Sequence, residues 1–416
     1  MDIKNIKTIC VAGWSKTGIA LARMLLSLGK KVKITEIRQK SCFLPQLIKD
    51  FQLKGANFEF GGHSEDFISN ADLVVLSPGI DFFNSQLAKI VVKNHLAYCG
   101  ELEFVSYFSE AKIIAITGTN GKTTTAYLTY RLLKKKNKKV YLGGNIGRPF
   151  SEFVLDTQKG DLIVLEVSSF QLETVIKFKP YIAVLLNIKP DHLDRHKSFD
   201  NYLKTKMKIF QNQQKDDWAI IHKNDNLHKL FSSQINSKIM YFSDEFSNEN
   251  LSAAYRIGKI FGATKTDCLS LFSQFRRLPH RQQLVKVVDR IKFINDSKST
   301  NPASTCFAVK SIQSPIILIA GGKDKGFSYA SVANYARKIK KVNLIGQAAD
   351  KIKNELNNKI KCQKFDSLED ALLSSSQEAA AGDVVLFSPM CSSFDMFANY
   401  KKRGQRFIEL VGKLHQ

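Results

Sequence analysis

Short, solidly apolar runs alternate along the chain with stretches whose apolar residues recur every three or four positions. Thr8–Ala12 and then Val32–Thr35, interrupted by Lys33, are followed by Leu73–Leu76 and Leu96–Cys99. All four are too short for helices and read as strands, Thr8–Ala12 as a buried one. Between the first two, Ile19–Leu28 has helical spacing. The pattern returns with Lys112–Thr117, a helical Ala126–Leu133, Leu162–Glu166, Ile182–Asn187 and Trp218–Ile221, and again with Ile316–Ile319, Val342–Ile345 and Val384–Phe387. Alternation of this kind predicts an α/β fold of parallel, doubly wound sheets covered by helices. At 416 residues the chain is long enough for two or three domains. Three doubly wound domains are expected, over 1–108, 109–280 and 281–416.

Each predicted strand ends in a polar or Gly-rich turn, the edge where such sheets bind ligands. The most informative turn is Gly118-Thr119-Asn120-Gly121-Lys122-Thr123-Thr124, between a strand and a helix. Backbone N–H groups, the helix dipole and a lysine there make an anion cradle. In a nucleotide-binding reading Lys122 meets the β- and γ-phosphates and Thr123 offers its hydroxyl to Mg²⁺. The first domain opens with Gly13-Trp14-Ser15-Lys16-Thr17-Gly18, a G-x-G-x-x-G pattern with Ser15 at the second glycine. That glycine normally lets backbone approach a pyrophosphate, so the signal is weak for NAD and reasonable for a nucleotide diphosphate. Glu36 ends the next strand, where a ribose-binding acid is expected.

Glu166 ends an apolar strand, where a hard cation beside the phosphate loop needs an oxygen ligand. An N-cap role is the alternative, for which Ser168 is the better candidate. In Asp191-His192-Leu193-Asp194-Arg195-His196 the preceding Pro190 favours a loop over a zinc-binding helix. His192 is read as a magnesium or phosphate contact and His196 as a surface histidine. On a helix through Ser198–Phe210, Lys206 falls within the stripe of Phe199, Leu203, Met207 and Phe210, while Lys204 and Lys208 point away. Lys206 therefore either snorkels along that face or reaches the nucleotide site. There, a lysine with lowered pKa could take up CO₂ as a metal-binding carbamate. Asn295–Asn301, Gly321–Gly326 and Ser388–Asp395 bring cations and hydroxyls to further strand ends, and their serines lack a neighbouring histidine base, which disfavours a serine hydrolase.

Composition narrows the class. The net charge of +24 admits a polyanion binder. The lysines are nonetheless dispersed, and the one dense run, Lys134–Lys139, closes a predicted helix where cations complement the dipole. Without aromatic-interleaved basic stretches or helicase-type motifs, a nucleic-acid-dependent ATPase is disfavoured. Seven scattered cysteines without a C-x-x-C pair argue for free thiols in a reducing compartment. No signal peptide or membrane-spanning run is recognised, so a cytoplasmic protein without membrane insertion is expected.

In order, GTNGKTT, GGNIG (Gly143–Gly147), LEVSSFQLE, DHLDRH, YLKTK, LPHR (Leu278–Arg281), NDSKSTN, GGKDKG and SPMCSSFDMF span essentially the whole chain. Together they resemble the Mur ligases of bacterial cell-wall synthesis, most closely the branch that uses D-glutamate. The resemblance implies an N-terminal UDP-binding Rossmann-like domain, a central P-loop ATPase domain and a C-terminal dinucleotide-binding-like domain that receives the amino acid. It implies an ATP- and Mg²⁺-dependent ligase, expected as a monomer without nucleic acid. Its substrates would be UDP-N-acetylmuramoyl-L-alanine and D-glutamate, joined through an acyl phosphate. By the same resemblance Lys122, Glu166, His192, Lys206 and Lys298 are catalytic, and Thr123, Glu166, His192 and a carbamylated Lys206 hold metal. ATP would meet Gly118 to Thr124 (Gly118, Thr119, Asn120, Gly121, Lys122, Thr123 and Thr124), Asn250, Arg281 and Asp296. Ser15, Lys16, Thr17, Glu36 and Arg38 would line the UDP pocket, and Asn145 would touch the substrate carboxylate. Thr300, Lys325, Ser393, Phe394 and Tyr400 would gather phosphate and D-glutamate. The chain departs from the family pattern at Ala253, where a second Asn is common, at Gln283, usually acidic, and at Tyr400, more often Phe.

Overall fold

The computed structural model describes residues 5–136, 138–223, 235–243, 245–246, 248–273, 279–356 and 358–414. Leu278 of LPHR, Asn137 of the lysine run and the Met1–Lys4 start lie outside the described residues. The chain forms two compact units, Met1–Gln274 and Phe275–Gln416.

The first unit holds two parallel sheets. Strands β1 (Thr8–Ala12), β2 (Lys31–Glu36), β3 (Asn57–Phe60), β4 (Leu73–Leu76) and β5 (Ala97–Gly100) assemble in the order β3-β2-β1-β4-β5. Strands β6 (Lys112–Thr117), β7 (Val140–Gly144), β8 (Leu162–Glu166), β9 (Ile182–Leu185), β10 (Trp218–His222) and β11 (Lys238–Phe242) assemble as β11-β10-β9-β6-β8-β7. Most residues of β1, β4, β6, β8 and β9 are buried, which is why these strands read as unbroken apolar runs. In the first sheet the winding reverses between β1 and β4, and in the second β6 lies between β8 and β9. These switch points are where crevices open at strand carboxyl ends.

The two sheets of this unit share a core on one face, while each keeps an apolar cluster of its own on the other. One apolar cluster contains Ile9, Val11 and Val75 of the first sheet with Ala115, Leu165 and Leu185 of the second. Two buried acids add directional bonds. Glu101 Oε1 accepts the Ser151 N–H at 2.9 Å. Glu103 accepts the N–H groups of Ile176, Lys177 and Phe178 at 2.8–3.0 Å. A buried carboxylate saturated this way is expensive to pull from its donors, so these bonds help hold the two sheets together within the one compact unit.

The second unit carries β12 (Gln283–Val288), β13 (Ile291–Asn295), β14 (Ile316–Gly321), β15 (Ile339–Ile345), β16 (Cys362–Lys364) and β17 (Val384–Phe387), ordered β12-β13-β17-β14-β15-β16. The sheet is mixed. β12 pairs antiparallel with β13 through a two-residue turn, Asp289 (φ 48°) and Arg290 (φ 62°). Paired positive φ values suit a tight hairpin, but Asp-Arg carries none of the Asn-Gly signal that reveals one in sequence. β12 itself is half wet and gives no apolar run. Among the described residues no helix is long and apolar enough to cross a membrane.

Candidate functional site

β6 delivers the phosphate loop. Gly118 (φ 149°) and Gly121 (φ 85°) adopt backbone that side chains resist. A Cβ on Gly121 would stand 2.2 Å from Asn250 Oδ1, so Asn250 lies against the loop. The loop is stitched to the segment after β9. Thr119 N–H donates to Asn187 O and Asn120 N–H to Asn187 Oδ1, both at 2.9 Å. Thr119 Oγ1 donates to Lys189 O at 3.0 Å and accepts its N–H at 2.9 Å. Lys122 Nζ folds over the loop, donating to Gly118 O and Thr119 O at 2.8 Å. The helix Lys122–Lys135 begins there and aims its positive end at the cradle.

Glu166, at the end of β8, is 2% exposed. Thr123 Oγ1 donates to its Oε2 at 2.6 Å and Asn145 Nδ2 to its Oε1 at 3.0 Å. The adjacent strand β7 supplies Asn145, whose N–H also bonds Glu166 O at 2.8 Å. A Cβ on Gly144 would lie 2.4 Å from that carbonyl, which explains the glycines before Asn145. Glu166 is thus no N-cap. Ser168 caps the next turn, with Gln171 completing a capping box.

Lys206 points inward, as the stripe predicts, and is 1% exposed. Its Nζ reaches Gly118 O at 3.1 Å and Thr117 Oγ1 at 3.3 Å, and lies 4.8 Å from the centre of the Tyr202 ring. Burial and then the Lys122 charge push its pKa well below the ordinary lysine value, against the pull of Asp191 and Glu166. The snorkelling alternative is excluded, because the head group itself is buried. Lys204 is exposed as expected, whereas Lys208 is half-buried and donates to Glu173 O at 2.7 Å.

His192 occupies a left-handed position (φ 54°) before the short turn Leu193–His196, edge-on to Phe170 with ring centres 4.7 Å apart. The surface reading of His196 is wrong. It is buried among Ser169, Glu173, Phe170 and Tyr202, with Nε2 3.0 Å from Ser169 Oγ. Its neighbours in sequence are charged, so periodicity gave no sign of the aromatic wall it meets. Among the described residues no group of three or more His, Cys, Asp or Glu could hold a metal ion. The mixed set of Thr123, Glu166, His192 and Lys206 fits Mg²⁺ only if Lys206 is converted to an anion, since an ammonium repels the cation.

At the first sheet's edge Gly13 (φ 92°) faces Ser77, whose Oγ donates to Gly13 O at 3.1 Å. Ser15 precedes the helix Lys16–Ser27 without a side-chain capping bond, Thr17 lies in its first turn, and Lys16 Nζ bonds Gly147 O. Glu36 accepts the Trp14 N–H at 2.7 Å and a two-pronged bond from Arg38 at 2.9 Å. Burial alone would raise the Glu36 carboxyl, but Arg38 and these N–H groups outweigh it and hold the pKa low. Glu36 therefore spends its oxygens on orienting Arg38, whose guanidinium lies 4.6 Å from the Phe43 ring centre.

In the second unit β13, β17 and β14 are neighbours, so the Asp296–Asn301, Ser388–Asp395 and Gly322–Gly326 loops share one edge. Asp296 is buried and accepts Ser299 and Ser388 hydroxyls at 2.6 and 2.8 Å and the Gln282 N–H at 3.1 Å. Burial raises its pKa to about 6 against those bonds and the Arg281 charge. Lys298 Nζ lies 5.5 Å from the Tyr400 ring centre, Thr300 and Lys325 are partly exposed, Ser393 is buried and Phe394 is 69% exposed. Cys391 is no nucleophile, because burial pushes its thiol to about 12.

Known proteins supply the decisive comparison. Residues 7–96 match the Mur ligase MurD-like N-terminal domain, 116–278 the Mur ligase middle domain and 280–391 the Mur ligase glutamate ligase domain. The UDP-N-acetylmuramoylalanine–D-glutamate ligase of Thermoanaerobacter pseudethanolicus is 36% identical over 458 residues, covering 100% of both chains. That of Geotalea daltonii is 36% identical over 452 residues, covering 100% of this chain and 99% of its own. The chain belongs to the Mur ligase family. Its fold is also that of the UDP-N-acetylmuramate–alanine ligase MurC of Thermotoga maritima, at TM-score 0.61, 16% identity and coverage of 98% and 99%. MurF of the same organism, solved with ADP, gives TM-score 0.61 at 18% identity, covering 92% and 94%.

In this Mur ligase one residue that sequence reasoning missed organises the second unit's edge. Arg403 is 1% exposed, and among the described residues no carboxylate is hydrogen-bonded to it. Its guanidinium instead donates to Ser297 Oγ, Ser297 O, Cys391 O and Ser392 O at 3.0–3.2 Å. Burial lowers its pKa only to about 10, so it stays charged at neutral pH and clamps the Ser297 loop to the Cys391–Ser392 loop. The Lys401-Lys402-Arg403 run looks like solvated surface, and only the third residue turns inward.

Asp296 generates a pH test. Its folded pKa of about 6 lies above the roughly 3.9 of an unfolded aspartate, so folding favours the protonated form. The stabilisation this provides is complete below about pH 4 and is lost by about pH 6, a swing of about 3 kcal/mol. Thermal unfolding of the parent and Asp296→Asn between pH 4 and 8 should give a difference curve with that slope. A flat difference would show that Asp296 titrates normally.

Proposed function

We infer that this Mur ligase joins D-glutamate to UDP-N-acetylmuramoyl-L-alanine and converts ATP to ADP and phosphate. The observation that carries the reading is end-to-end identity of 36% to ligases named for that reaction. The phosphate loop, Glu166 and Asn145 form one bonded cluster beside it, which supports phosphoryl transfer to a carboxylate.

In this reading a carboxylate oxygen of the L-alanyl group attacks the γ-phosphorus as its bond to the ADP oxygen breaks. The D-glutamate amine then adds to the acyl carbon. The tetrahedral intermediate expels phosphate, which carries the carboxylate oxygen away, and the amine loses a proton. The loop from Gly118 to Thr124 with Lys122 would cradle the β- and γ-phosphates, where fixed N–H dipoles and a point charge favour the spreading negative charge. Asn145, fixed by Glu166, would orient the attacking carboxylate. Thr123, Glu166, His192 and a carbamate on Lys206 would hold Mg²⁺, which supplies charge neutralisation between the phosphate oxygens. The lowered Lys206 pKa supports this, since only the neutral amine adds CO₂. Asn250, Arg281 and Asp296 would hold the adenosine side. Ser15, Lys16, Thr17 and Arg38, with Glu36 behind it, would hold UDP. Lys298, Thr300, Lys325, Ser393, Phe394 and Tyr400 would gather phosphate and D-glutamate. Domains of 1–108, 109–280 and 281–416, a monomer and a cytoplasmic setting complete the proposal.

Phosphate release from ATP with UDP-N-acetylmuramoyl-L-alanine tests it. D-glutamate should support turnover, and L-glutamate, L-lysine and meso-diaminopimelate should not. Turnover with a different amino acid alone would move the chain to another branch of the family. For the carbamate, Lys206→Ala should lose about 10²-fold or more of kcat and regain part of it with added acetate or bicarbonate. An alanine variant with full activity would exclude the carbamate.

A further inference from the structure

The segment from Asn187 to His196 is fastened at both ends. At its start, Asn187 and Lys189 bond the phosphate loop. At its end, Arg195 reaches into the first sheet. Its Nη2 donates to Ile80 O at 2.6 Å and its Nη1 lies 3.4 Å from Pro78 O. Both carbonyls belong to the loop after β4, whose Ser77 bonds Gly13 across the switch-point crevice. Arg195 also grips Glu173 with two prongs, Nη2 to Oε2 at 2.6 Å and Nε to Oε1 at 3.0 Å. The side chains of this pair are only 12% and 11% exposed. The guanidinium lies 4.3 Å from the Phe170 ring centre, and the same ring carries His192 on its edge. Arg195, Ser77, Pro78, Ile80, Phe170 and Glu173 line one cleft.

We propose that Arg195 is a positioning residue that couples occupancy of the first sheet's crevice to the setting of His192 beside the phosphate loop. The inference rests on the proposed function, because it gives His192 work at the nucleotide site. A ligand seated against Ser77–Ile80 fixes the carbonyls that Arg195 reads. Arg195 in turn fixes Phe170 from one side and, being three residues away, the backbone of His192. A planar, five-donor guanidinium can do this at four acceptors and one ring simultaneously, whereas a lysine of equal charge cannot. Two fastened ends with a short turn between them make a rigid strut, so the arrangement predicts mutual enhancement of binding. UDP-sugar binding should tighten nucleotide binding, and by thermodynamic reciprocity the nucleotide should tighten the UDP-sugar equally.

Calorimetry on the full chain tests this with UDP-N-acetylmuramoyl-L-alanine and a non-hydrolysable ATP analogue with Mg²⁺, each alone and in the presence of the other. The parent should show enhancement of about 5-fold or more. Arg195→Lys should reduce that factor to about one while leaving binding of the analogue alone unchanged. It should also raise the Mg²⁺ concentration for half-maximal turnover and lower kcat by about tenfold. Glu173→Gln, which keeps shape and leaves Arg195 its carbonyl bonds, should lose part of the enhancement and guards against misfolding of the first variant. Retention of the parent's factor in Arg195→Lys would overturn the proposal, as would an equal loss of analogue binding alone with lowered thermal stability. A parent that ligates D-glutamate without any enhancement overturns this inference alone. One that binds no UDP-sugar overturns the functional reading with it.

Discussion

One buried carboxylate holds the centre together. Glu166 gives one oxygen to Thr123 of the phosphate loop and the other to Asn145 of the neighbouring strand loop. Cutting Glu166 would remove the acceptor that Thr123 and Asn145 share and loosen the tie between their two loops. An acid beside a phosphate-type loop balances Lys122 and Lys206 and carries the hard oxygen that a divalent cation seeks. The parallel sheet makes the placement possible, because β8 lies beside both β6 and β7 and brings Glu166 level with both loops.

Two deeply buried cations show how environment decides charge. Arg403 has four hydrogen bonds to carbonyl and hydroxyl oxygens, and burial, opposed by the charges of Cys391 and Asp395, lowers its pKa only to about 10. It works as a permanent clamp on the Ser297 and Cys391–Ser392 loops. Lys206 has two oxygen acceptors, an aromatic face and a second lysine nearby. Its compact ammonium gains less than burial takes away, so it is driven toward the neutral amine. Similar burial therefore yields a fixed cation in one unit and a nitrogen driven toward its neutral form in the other.

Much of this was legible in the chain. β1, β4, β6, β8 and β17 match the apolar runs residue for residue, because a strand buried on both faces has no choice of pattern. The inward turn of Lys206 follows from helical spacing alone. Edge strands β3, β12 and β16, with one wet side, gave no such run. The hairpin at Asp289–Arg290 lacked turn residues, and the core shared between the first two sheets depends on contacts far apart in sequence. Arg195, His196 and Arg403 escaped for one common reason. Each sits in a polar stretch that looks solvated, and burial there is set by what folds over it.

The proposed reaction activates a carboxylate by moving a phosphoryl group onto it. The direct measurement uses UDP-N-acetylmuramoyl-L-alanine labelled with ¹⁸O in its free carboxylate, unlabelled ATP and D-glutamate, with mass analysis of the phosphate released. An acyl phosphate requires each phosphate to carry one labelled oxygen from the substrate. Phosphate released without label, while amide product accumulates, would contradict the account.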